Sequence, residues 1–385
     1  MKTTRKMKHI IRWFVPYGAI KWYASKHRSQ DKNDVEEESQ ICTLNESFLS
    51  GFRKYLAENS KVQFTDNSPF EVVVSVQGFG FSGSGALVDL LREYDSTFVI
   101  GSVDYEGSLA TRDQHCVEVD VLRLAGGLFE IEKYLGSNNI FQNDALLHRV
   151  MAQIENSDIY MSLSAVRPYF YEFFYQISEV LTNSPQWQYY NAYLDYKGVN
   201  DIFYLKDITL KDYRNLCRKL INSLFSIIKG DSMSSILVLD QFVCDMEFDM
   251  TRYLDYVPNL KVIAVYRDPR DIYTFAIKDN VEWIPHNNVD VFIRWYQMMI
   301  RNFDVNEKGK YHVVQFEQLI EDYETAVKSM EQYVGLDASS HIRKNSCLNP
   351  SVSRQNMYLW TQNTLDEASY VEIQSKLNQL CYKNN

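Results

Sequence analysis

Residues 70–94 read FEVVVSVQGFGFSGSGALVDLLREY. Val72, Val73, Val74 and Val76 make an apolar run, the pattern of a strand buried on both faces as parallel sheets require. Ala86 to Tyr94 then follows helical apolar periodicity, so the stretch predicts a strand, a glycine turn and a helix. Gly78, Gly80, Gly83 and Gly85 strip side chains from the turn. Backbone N–H groups and the positive end of the helix dipole can then converge on an anion. The turn itself holds no lysine, so a cation must come from elsewhere in the chain.

The same letters match two motifs incompletely. Gly78 and Gly83 have Walker spacing, but Ser84 stands where that motif has lysine and Gly85 where it has Ser or Thr, which argues against an ATPase or ATP kinase. Gly78, Gly80 and Gly83 also fit a dinucleotide fingerprint, with Asp104 at the distance of a ribose contact. A third reading is a tight strand-to-helix connection that binds nothing, although four glycines in eight residues are costly without a ligand.

The chain has 385 residues, 45% hydrophobic and 14% aromatic, enough for a large core and a globular fold. Its net charge of -10 conceals an asymmetry. Residues 1–28 carry eight Lys and Arg and no acid, leaving -18 for the remainder, which argues against a general nucleic-acid binder. Ile10, Ile11, Trp13, Phe14, Val15, Ile20 and Trp22 interleave with those cations, the composition of an arm lying on an anionic membrane face. No apolar run reaches 18 residues, so no segment spans a membrane. The six cysteines are scattered without paired spacing and read as reduced thiols of a cytoplasmic protein.

These features predict an arm and acidic linker over 1–40, then one α/β domain over 41–385. It is a three-layer parallel sheet flanked by helices, with a helical, Tyr-rich insertion around 127–230. Strands are expected at Thr97–Val103, Ile236–Leu239, Lys261–Tyr266 and Tyr311–Gln315. Helices are expected at 127–135, 144–154, 165–181, 211–229, from Asp271, at 289–302 and at 323–334.

In such sheets ligands sit beyond the carboxyl ends of the strands, which directs attention to Gly78–Ser84, Asp104, Glu106, Asp240 and Arg267. Arg267 opens the run RDPRD, in which Asp268 can cap a helix and Pro269 suits its first turn. The planar fork of Arg267 can pair two phosphate oxygens. An alternative stands beside this: Arg267 or Arg270 pairs with Asp271 or Asp240 in a buried ionic cluster.

The glycine-serine loop, the strand ending in Arg267 with DPRD, and YHVVQFEQLIEDYETAVKSMEQYVGL together resemble the sulfotransferases that use 3′-phosphoadenosine 5′-phosphosulfate (PAPS). The resemblance covers roughly 70–360 and extends to carbohydrate and capsule-type enzymes. It implies a P-loop-like fold, PAPS as co-substrate, no metal, and a carbohydrate or glycolipid acceptor. It also implies that Gly78, Phe79, Gly80, Phe81, Ser82, Gly83, Ser84 and Gly85 hold the phosphosulfate and Arg267 the 3′-phosphate. SVSRQNMYLW resembles a segment that closes over the nucleotide and would bring Arg354 to a phosphate.

Two positions depart from the family. Phe81 stands where the loop usually has Lys or Arg, and Phe275 where a serine follows the arginine, with Thr274 beside it. Arg270, Lys278 and Arg354 are the candidate replacement cations. Glu106 is placed like the general base of the heparan-type branch, with Asp104, His115 and Asp240 as rivals. A catalytically weak nucleotide-binding module and a nicotinamide-dependent oxidoreductase are the competing functions.

Overall fold

A computed structural model describes residues 47–58, 61–100, 127–157, 159–160, 163–182, 201–243, 250–301, 311–362 and 365–383. Its strands are β1 (Val72–Gln77), β2 (Thr97–Val99), β3 (Ser178–Thr182), β4 (Asp201–Leu205), β5 (Ile236–Asp240), β6 (Leu260–Tyr266) and β7 (His312–Gln315). Five of them form one parallel sheet in the order β2-β5-β1-β6-β7, while β3 and β4 make a separate antiparallel pair.

Alternation along the strands divides the apolar residues between two cores. Val73, Leu237, Leu239, Val262 and Ala264 face one core, built with the helices Phe48–Ala57, Ile140–Glu155, Arg167–Ile177 and Leu210–Lys229. Val74, Val76, Val238, Ile263, Val265 and Val314 face the other, covered by Ser84–Leu91 and Tyr323–Val334. The expected three-layer parallel α/β architecture is therefore present. Burial of each such Val, Leu or Ile contributes about 1.5–3 kcal/mol relative to exposure, so both faces hold the sheet between helices.

One expected element differs. The helix read over 165–181 runs from Arg167 to Ile177 and then gives way to β3. Ser178 leaves helical geometry, donates its hydroxyl to the Phe174 carbonyl at 2.6 Å, and starts the pairing with β4 in which Ser178 lies opposite Leu205. Tertiary strand pairing here overrides local periodicity. Of the strand expected over Thr97–Val103, β2 spans 97–99, and 101–103 lie outside the described residues.

Two registers position the site. Val76 of β1 lies opposite Asp240 of β5, and Gln77 opposite Ala264 of β6. The glycine turn after β1 and Arg267 after β6 thus emerge side by side at the carboxyl edge of the sheet.

Candidate functional site

The turn owes its shape to alternating backbone sign. Phe81 has φ 65° and Gly83 φ 94°, while Gly78 and Gly80 stay outside the left-handed region. Such alternation is the backbone pattern of anion-binding nests. Gly83 is also the N-cap of the helix Ser84–Leu91 and offers it no capping side chain; Ala86 N donates to Gly83 O at 3.0 Å, which leaves Ser84 and Gly85 as the first helical N–H groups open to an anion. Inside the turn, Phe79 N donates to Ser82 Oγ at 3.2 Å and Ser82 N donates to Phe79 O at 2.9 Å. A Cβ on Gly80 would overlap the Trp283 ring, and one on Gly83 would press into Phe316.

Arg267 brings a guanidinium against the turn. It is 6% exposed, and its Nη1 donates to Phe81 O at 3.4 Å, tying the end of β6 to the turn after β1. Nη2 donates to the Asn356 carbonyl, and the guanidinium lies over the Phe316 ring with its carbon 5.3 Å from the centroid. Tyr296 donates to the Arg267 carbonyl at 2.5 Å. Nε has no hydrogen-bond acceptor among the described residues. Asp271 Oδ2 and Glu317 Oε1 lie 4.0 Å from Arg267 nitrogens, too far for hydrogen bonds. Burial pushes the Glu317 carboxyl up to about 8 and the Asp271 carboxyl up to about 6, against the pull of Arg267 in both cases. Burial thus favours the neutral form of Glu317 beside Arg267.

A buried ionic cluster is present too, but Arg270 pairs in it with Asp268 and not with the expected Asp271 or Asp240. Its Nε and Nη2 donate to Asp268 at 3.0 and 2.5 Å, Nη1 to Gln374 at 2.7 Å, and Nη2 also to Tyr382 O at 2.9 Å. Its guanidinium carbon lies 4.4 Å from the Trp360 ring centroid. Arg270 thus holds the C-terminal segment. Thr274 is buried and donates its hydroxyl back to the Arg270 carbonyl at 2.7 Å, so it turns into its own helix. Lys278 is exposed in the last turn of Pro269–Lys278, about 13 Å along the helix from Pro269 at 1.5 Å per residue. Arg354 is exposed, two residues before the Asn356 carbonyl that Arg267 holds. Asp240 ends β5, one strand over from the turn. Glu106, Asp104 and His115 lie outside the described residues.

The two departures from the resemblance touch each other. The Phe81 and Phe275 rings have centroids 4.3 Å apart, and Trp283 stacks on Phe81 at 5.4 Å and 14°. Phe79 adds edge contacts to Trp295 and Tyr296 at 5.8 and 5.4 Å. One wall of the turn is therefore aromatic where a cation and a hydroxyl were expected.

Sequence reasoning missed Trp283, Phe316 and Glu317. Phe316 and Glu317 directly follow β7, the position inspected after the other strands, and could have been found by the same rule. Trp283 follows a helix, and nothing local marks it.

No protein-family model matches the sequence, and no curated protein matches it. Among solved structures, the chain is similar to the sulfotransferase domain from the Synechococcus PCC 7002 olefin synthase. Identity is 13% over 85% of this chain and 100% of that one, with a TM-score of 0.37. Sulfotransferase STF9 from Mycobacterium avium is 10% identical, covering 89% of this chain and 86% of that one, with a TM-score of 0.37. The sulfotransferase domain from the curacin biosynthetic pathway is 11% identical over 83% and 100%, with a TM-score of 0.36. At these TM-scores the likenesses assign neither family nor activity.

Proposed function

We propose that the chain transfers a sulfuryl group from PAPS to a hydroxyl of a carbohydrate acceptor. The observation that carries this reading is the junction of the nest at Gly78–Ser84 with the buried Arg267, whose Nη1 donates to Phe81 O. Such a junction offers backbone donors to one anionic group and a planar cation to a second, as a nucleotide with separate 5′ and 3′ charges requires. In the reaction the acceptor oxygen bonds to sulfur as the bridging bond from sulfur to the 5′-phosphate breaks. A carboxylate, for which Glu106 is the candidate, takes the acceptor proton. Loop N–H groups and the helix dipole stabilise the charge that builds on the bridging oxygen.

The carbohydrate acceptor follows from the sequence resemblance. The basic apolar arm over 1–28 extends the reading to glycolipids or capsular glycans at the cytoplasmic membrane face. Loss of vesicle binding on deleting 1–28, with anionic but not neutral lipid, is the expected result for that extension.

The deciding experiment is calorimetric titration with 3′-phosphoadenosine 5′-phosphate, followed by transfer from labelled PAPS to a panel of glycans. Arg267→Lys is the appropriate control, because removing the charge altogether would strand Asp271 and confound folding with binding. Lysine keeps the charge and loses the fork, so affinity is expected to fall by about tenfold or more. Absence of binding by the folded wild-type chain would sink the reading.

A second reading, a nucleotide-binding module with slow transfer, is supported by the Phe81–Phe275 contact. Loss of one preorganised electrostatic contact lowers rates on the order of 10²–10³. Tight nucleotide binding without transfer to any glycan would favour it.

A further inference from the structure

The turn contains a bulky residue in a conformation that bulky residues avoid. Phe81 at φ 65° has the steric conflict of a Cβ in the left-handed region, and such residues persist only where their surroundings fix them. Charge is not what fixes this one, because its ring is enclosed by Phe275 and Trp283. Trp283 meets the turn twice. Its ring lies nearly parallel to Phe81, at 14°, and it also fills the space a side chain on Gly80 would need. Arg267 holds Phe81 through the carbonyl, and Phe316 closes on Gly83. The turn is thus held by Trp283, Arg267 and Phe316 together.

We infer that Trp283 is a positioning residue for the anion turn, holding Gly80 and Phe81 in the nest conformation by stacking. Trp283 need not touch the anion, because it acts through the φ value of Phe81, which sets the direction of the following N–H groups. Gly80 is required for the same reason, and any side chain there would push the indole off. The identity of the anion rests on the nucleotide reading above, whereas the positioning role does not.

The test combines amide hydrogen exchange of residues 78–84 in the free, full chain with calorimetric titration of 3′-phosphoadenosine 5′-phosphate. Trp283→Ala is expected to speed exchange across 78–84 by about tenfold or more and to weaken nucleotide affinity by about tenfold, while exchange in β5 and β6 stays unchanged. Trp283→Phe keeps an aromatic face and is expected to recover both to within about threefold. Gly80→Ala, which displaces the indole without removing it, is expected to reproduce the faster exchange even if Trp283→Ala fails to fold. Wild-type exchange at 78–84 in both Trp283→Ala and Gly80→Ala would overturn the inference, as would Trp283→Phe behaving no better than Trp283→Ala. If exchange rises in the variants but the wild type binds no nucleotide, the positioning role stands and the nucleotide reading falls.

Discussion

At the scale of single residues, Phe81 and Glu317 decide what the site can hold. Phe81 is 8% exposed and packed on two aromatic rings. A lysine there would carry its stem and ammonium into an apolar wall. Phe81→Lys is expected to lower stability by about 1–3 kcal/mol, read as a lower urea midpoint at unchanged slope, without raising transfer. A faster enzyme from that single change would show that the wall opens readily. Glu317 makes a prediction about pH. Its carboxyl, raised from 4.5 to about 8 by burial, favours the folded state below 4.5, and that contribution is lost as pH rises through 8. Stability is therefore expected to decline across that window, and Glu317→Gln to flatten the decline. Nucleotide affinity should weaken over the same upper limb, because an ionised Glu317 competes for Arg267 and repels phosphate. Titrations between about pH 7 and 9 on both proteins check this.

At the scale of elements, the run RDPRD works as a clip for the segment 349–361. Arg267 holds the Asn356 carbonyl, Asp271 accepts from Tyr358 N at 2.9 Å and Leu359 N at 2.6 Å, and Arg270 lies over Trp360. Asp271→Ala leaves two amides without their acceptor, at about 1–3 kcal/mol each where buried, and is expected to speed exchange over 356–360 before the sheet loosens. Asp271→Asn keeps one acceptor oxygen and should fall between. Much of this level was legible in sequence. The valines of β1, the glycine turn and the Asp-Pro start of Pro269–Lys278 are local patterns, and local patterns survive without knowledge of topology. Phe316 stood at a strand end that the same rule reaches, whereas Trp283 was not legible, because only the tertiary fold brings the segment after Pro269–Lys278 to Gly80. Ser178–Thr182 was misread for the same reason, since its partner strand begins at Asp201.

At the scale of the whole molecule, two apolar cores on opposite faces of one sheet meet the charged cluster at its carboxyl edge. The core tolerates the cluster because its charges answer one another, Arg270 to Asp268 and Arg267 to Asp271, while burial favours a neutral Glu317. The central place of β1 in the sheet bears on how the protein is made. Val72 must wait for Ile236, and Val73 for Leu260, before either edge of β1 is paired. A nascent chain carries the bare run VVVSVQ, with no charge or proline in it, until β5 and β6 have left the ribosome. A fragment ending at Lys229 is expected to aggregate and to show no cooperative melting transition; a soluble fragment that melts cooperatively would contradict this. Synthesis thus delivers the anion turn early and braces it late, and a cell making this protein must shield one hydrophobic strand for most of the interval.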